Sequence, residues 1–145
     1  MREKRFIVKP EEKVVVAIMD AYCDGIQEEV EKKSTRLTAN LVQHIITNDY
    51  RKGLNYPNYE IHYNVPYKGV SKCDKDDEFD EKKGKNIAGN KADMKYHIAM
   101  MKKYKRLKDI FAKASDEMYE LEMEHLNKVD NIKESLQKYS IRQDV

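Results

Sequence analysis

The chain has no tryptophan, three prolines, five glycines and two cysteines in 145 residues. Each shortage excludes something. Scarce glycine and proline outside the middle of the chain argue against a turn-rich β-fold and favour long helices. Cys23 and Cys73 come with no Cys-x-x-Cys pair and no Cys/His cluster, so neither a disulfide framework nor a structural zinc site is expected. No apolar run approaches the ~20 residues of a membrane-crossing helix, so no span is expected. The opening MREKRFIVKPEEK lacks the apolar centre of a secretory signal and carries acids that a transit peptide avoids.

A dominant charge is also missing. Lysine and arginine number 28 against 26 acids, for a net charge of +2, and the signs interleave. A nucleic-acid surface needs a basic face that displaces phosphate counterions. Basic residues concentrate in two short runs, Lys102–Lys108 and Lys82–Lys85, so nucleic acid is not the expected partner. A 40% hydrophobic share beside 37% charged residues places the chain toward elongated or partner-dependent helical proteins.

What is present reads mostly as helix. Pro10-Glu11-Glu12 suits a helix start, with proline in the first turn and acids at the positive end of the dipole. Val15, Met19, Tyr22, Ile26 and Val30 then form a stripe, continued by Leu37, Leu41, Val42, Ile45 and Ile46. This predicts one helix or a helix pair over 10–48, with Ser34-Thr35 as the point of interruption. Residues 74–89 read as a charged loop. Asn90, with Asp93 three residues on, has capping-box spacing and predicts a helix over 90–139. Tyr104, Leu107, Phe111, Ala114, Met118 and Leu121 alternate by three and four, and Val129, Ile132, Leu136 and Tyr139 resume the pattern. The eight-residue step from Leu121 to Val129, with Leu126 between, reads as a slip in a coiled-coil-like seam.

Between the helices, residues 49–73 look different. Tyr50, Tyr56, Tyr59, Tyr63 and Tyr67 supply five of the ten tyrosines, beside Pro57 and Pro66. Each proline disfavours helix at the residue before it. The weak alternation over 59–65 permits a short strand, one that needs a partner outside the chain. Tyrosine and histidine supply large amphipathic contact area, so Tyr56, Tyr59, His62, Tyr63 and Tyr67 are the expected interaction residues of an extended docking arm. Wrapping of the same segment onto the chain's own helices is the competing reading.

Catalytic and metal patterns fail on spacing. Gly84–Lys91 approaches a phosphate-binding loop, but Asn90 stands where lysine is required and Lys91 where a hydroxyl is required. Asp74–Glu78 opens like a calcium loop, yet Phe79 replaces the needed glycine and Lys85 the closing glutamate. Glu122-x-x-His125 is half of a di-iron pattern that needs two such units and two further glutamates. His44, His62 and His97 have no partner at catalytic spacing. Cys23 reads as buried on the stripe and Cys73 as lying in a polar loop. The chain is therefore expected not to be an enzyme and to use no cofactor or metal.

The order of parts resembles a known family. Tyr59, His62, Tyr63 and Pro66 lead to Cys73, then to the acids of 74–80, then to Met94-x-Tyr96 in a charged helix. This is similar to the PDSW-type accessory subunits of mitochondrial respiratory complex I, over residues 37–120. The resemblance implies a non-catalytic scaffold subunit on the intermembrane-space side of the inner membrane. It implies a tyrosine arm against neighbouring subunits and Cys73 in a disulfide or packing contact. The expectation is thus an all-α, elongated hairpin of two long helices in a single domain, part of a multiprotein assembly. The alternative is a small soluble regulator, of phage or bacterial type, that blocks a protein or nucleic acid through Lys102–Lys108. A homo-oligomeric bundle built on the 104–139 seam is a third reading.

Overall fold

Val14-Val15-Val16 followed by Ala17-Ile18-Met19 is a run that suits a strand better than a helix, because branching at Cβ restricts χ1. In the computed structural model, which describes residues 3–21, 25–51 and 65–143, this run is strand β2 (Val14–Ala21). It pairs antiparallel with β1 (Lys4–Lys9) on one side and with β3 (Val65–Lys72) on the other. The sheet order is β1-β2-β3. Two helices, α1 (Ile26–Lys33) and α2 (Arg36–Arg51), separate β2 from β3, and α3 (Glu81–Gln143) follows. The fold is mixed α and β, which overturns the all-α hairpin.

The misreading has a physical cause. Val15 and Met19 are four residues apart, and four is both a helix repeat and an even strand step. Both face the same side of the sheet and are buried. Pro10 does not begin a helix either. Its carbonyl accepts from the Lys13 amide at 3.1 Å, closing the β1–β2 turn. Lys13 holds φ at 54°, a left-handed conformation that costs about 1 kcal/mol outside glycine. Its ammonium donates to the carbonyls of Lys75 and Asp77, which ties the turn to the segment after β3.

Ser34 does interrupt the next helical stretch. Its extended backbone ends α1, and Thr35 caps α2 through its hydroxyl, which accepts from the Thr38 amide at 3.3 Å. The Gln27 side-chain amide donates to the Ala39 carbonyl at 3.2 Å, joining the two helices. Ile26 and Val30 of α1 and Ala39, Val42 and Ile46 of α2 are buried.

The end of the expected arm is also corrected. Val65-Pro66-Tyr67 is the start of β3 and pairs with Ala21, Asp20 and Met19 of this chain, not with an outside partner. Pro66 is tolerated because β3 is an edge strand of the sheet. The expected charged loop is shorter as well. Asp80 caps α3, its carboxylate accepting from the Lys83 amide at 3.1 Å, so the helix begins well before Asn90.

The chain divides into two units, Met1–Lys105 and Arg106–Val145. In the first, α3 crosses one face of the sheet. Gly84 lies against Val15, the Tyr96 ring meets Tyr67 edge-on at 5.5 Å, and Lys4 pairs with Asp93 at 2.7 Å. Gly69 sits closest. A Cβ there would lie 2.0 Å from the Ala88 carbonyl oxygen and 2.6 Å from the Ala92 amide nitrogen. Gly84, Ala88, Ala92, Tyr96 and Met100 are buried at four-residue steps along this face. Full burial of Val15, Met19, Ile26 and Val42 contributes about 1.5–3 kcal/mol each. The described residues of the second unit, 106–143, are all helix.

Candidate interaction surface

The chemistry-bearing motifs of the sequence fall into ordinary structure. Gly84–Lys91 is continuous α3 helix packed on the sheet, so no loop is present to cradle a phosphate. In the Asp74–Glu78 segment the Asp77 amide donates to the Asp74 carbonyl at 3.1 Å. The Lys13 ammonium donates to the carbonyls of Lys75 and Asp77. Among the described residues no group of three or more His, Cys, Asp or Glu is placed to hold a metal ion, Glu122 and His125 included. His44 is exposed on α2, and the His97 ring contacts Tyr96 at 5.2 Å.

The expected docking residues divide. Tyr56, Tyr59, His62 and Tyr63 lie outside the described residues, as does Cys23. Tyr67 is half-buried in β3 with its ring against Tyr96, so it serves the chain's own core. Cys73 is a half-buried free thiol just after β3. Its sulfur lies 3.7 Å from the carbonyls of both Asp77 and Glu78, and its amide donates to the Lys13 carbonyl at 2.9 Å. It packs at the corner where the first turn meets the β3–α3 connection.

Among the described residues of the first unit, Tyr104 is a strongly perturbed titratable group. Burial, then the 2.8 Å hydrogen bond that its hydroxyl donates to Glu29, pushes the Tyr104 phenol up. The neutral phenol is thereby held as a donor linking α3 to α1, which is a structural use.

The face of the sheet away from α3 carries Ile7, Val16 and Val70 in one row across three strands, with Ile7 and Val70 exposed. Lys9, Lys68 and Lys72 flank the row, and Arg5 pairs with Asp20 at 3.2 Å. The apolar row is small and gives little area for binding.

The second unit exposes far more. Leu107 is buried and Ile110 and Phe111 are half-buried, but the large apolar residues after them are mostly open. Leu121 is 50% exposed, Ile132 59% and Leu136 62%, and Met118, Leu126, Val129 and Tyr139 are exposed with them. Exposed apolar residues gathered along one helix are the kind of surface that a partner covers. Its period is eleven. Leu107, Met118 and Val129 recur at that interval, as do Ile110, Leu121 and Ile132, and then Ala114, His125 and Leu136. The steps are three, four and four, so the eight residues from Leu121 to Val129 are two steps of four through His125. What read as a heptad slip is a regular 11-residue repeat. A seven-residue template misses it because His125 interrupts the apolar series at the informative step.

No helix among the described residues is long and apolar enough to cross a membrane. Protein-family models, curated proteins and solved structures give no match to this chain.

Proposed function

We propose that this chain is a non-catalytic assembly protein that couples to a protein partner through the apolar stripe of its second unit. One observation carries the reading: large apolar residues recur at regular spacing over 118–136, broken at His125, and remain exposed there. Removing such a stripe from water stabilises association by roughly 25 cal/mol for each Å² covered. No isolated surface helix gains that energy alone. The interleaved charges beside the stripe keep the free chain in solution and give the partner a polar rim to match.

Two narrower expectations are not carried forward. The complex I resemblance rests on the order of Tyr59, His62, Tyr63, Pro66, Cys73, the acids of 74–80 and Met94-x-Tyr96, and no further observation on this chain adds to it. The mitochondrial location rested on the same residues. The blocking regulator relied on Lys102–Lys108 as a basic face, and within that run Lys103, Tyr104 and Arg106 are half-buried and Leu107 is buried.

The test uses the full chain and a Leu121→Asn/Ile132→Asn variant. Sedimentation of the purified proteins is paired with size fractionation of native extract followed by mass spectrometry. The wild-type chain should run in a complex of fixed composition, with itself or with another protein. The variant should run as a free monomer with the unfolding midpoint of its first unit unchanged. Equal complex formation by both forms, or a monomeric wild-type chain in both settings, defeats the reading.

A further inference from the structure

The stripe has three features that choose its occupant. Its repeat is eleven residues, its centre is polar at His125, and its flanks carry an ordered charge pattern. An 11-residue repeat keeps the apolar positions on one face of an almost undistorted helix, whereas a seven-residue repeat would drift around it. The positions that border such a seam recur with the same period. On one side they are Glu117 and Lys128, and on the other Glu122 and Lys133. Each side therefore carries an acid, then a lysine one repeat later.

Flanking charges set orientation in paired helices. With two copies parallel and in register, a residue on one border meets the other border of its partner about five residues on. Glu117 would then meet Glu122 of the second copy, and Lys128 would meet Lys133, so every border contact is between like charges. With the copies antiparallel, each border meets itself reversed. About His125, Glu117 then lies nearest Lys128 and Glu122 nearest Lys133 of the second copy, each about five residues out of level, so the nearest charges along each border are opposite. Within its own chain Lys128 reaches Glu124 at 3.3 Å, an exposed pair that holds the lysine weakly.

The apolar positions agree with the second arrangement. An antiparallel pair centred on His125 sets Met118 against Ile132, Leu121 against Val129 and Ala114 against Leu136. The smallest member of the stripe then faces one of the largest. The two imidazoles meet each other at the centre. The seam from 114 to 136 is about 33 Å long at 1.5 Å per residue.

We infer that the occupant of the stripe is a second copy of this chain, paired antiparallel about His125. The inference rests on the reading of the stripe as an assembly surface and adds the partner, the orientation and the register.

Sedimentation equilibrium of full-length charge variants tests it. The wild-type chain should be a dimer in equilibrium with monomer. Glu117→Lys should raise the dissociation constant about tenfold, because two symmetric acid–lysine contacts become lysine–lysine contacts. Adding Lys128→Glu should return the constant to the wild-type value. A role for either residue within its own helix would give no such reciprocal rescue. Parallel pairing predicts the reverse, since the introduced lysine would then meet Glu122, so tighter association of Glu117→Lys overturns the proposal. An unchanged constant, a trimer or larger species, or a wild-type chain monomeric at every concentration overturns it too. A monomeric chain that still binds another protein, in a manner dependent on Leu121 and Ile132, would sink this inference and leave the assembly reading standing. A chain that does neither sinks both.

Discussion

The stretch of α3 from Gly84 to Met100 and the stretch from Met118 to Tyr139 invert the usual link between side-chain size and burial. The first places two glycines and two alanines, Gly84, Ala88, Gly89 and Ala92, in buried positions. The second exposes leucine, isoleucine, valine, methionine and tyrosine. The small residues are buried because a sheet lies against them, and they allow the backbones to approach closely at Gly69. The large ones are exposed because nothing described in their unit covers them. Burial here reports what lies opposite a helix, and hydrophobicity reports what ought to.

The sharpest way to break the first half of that comparison is Gly69→Ala. The added methyl meets the backbone of α3 at two points, which cannot be relieved by a rotamer change, so helix and sheet must separate. Denaturant unfolding should show a loss of about 3 kcal/mol or more. A loss below about 1 kcal/mol would mean that the approach is not tight.

Tyr104→Phe gives a smaller effect and has a pH signature. Removing the hydroxyl that donates to Glu29 should cost about 1 kcal/mol near neutral pH. Burial and that hydrogen bond raise the phenol's pKa in the folded chain, so folding favours its protonated form. The contribution is complete below the ordinary tyrosine value of about 10 and is lost as pH rises above it. Thermal unfolding across that range should show a stability decline in the wild-type chain that is shallower in the variant. Equal declines in both would place the titration elsewhere.

The mildest test is Gly89→Ala, which should go the other way. A Cβ at Gly89 meets only the Lys4 side chain at 3.6 Å and the Phe6 ring at 3.7 Å and beyond, ordinary contact distances. Alanine in a helix interior is favoured over glycine by about 0.5 to 1 kcal/mol. A gain of that size would show that only some glycines of this helix are needed for approach, and a loss would extend the close contact to β1.

Legibility in the sequence varied with how many structures one spacing could serve. The 104–139 seam was readable because a long apolar series at three and four fits only a helix. The break at Ser34-Thr35 was visible in its hydroxyls. The stripe through Val15 and Met19 was not readable by spacing, since a step of four suits helix and strand equally. The three valines were the better signal there. Pro66 argued against regular structure at the point where an edge strand accepts it. Asp80 was hidden among acids, and its capping role could be told only from the Lys83 amide above it. Tyr67 looked like a docking residue because nothing in the sequence announces that Tyr96 will lie over it.

By itself the sequence determined the long terminal helix, its eleven-residue apolar period and the acid-then-lysine borders, because helical repeat and charge order are local properties of the chain. The tertiary structure alone decided that Val14–Ala21 is the middle strand of a sheet, that Gly69 must stay bare and that Tyr67 and Cys73 pack within the chain. Those outcomes depend on contacts between segments far apart in sequence, and no spacing rule carries that information.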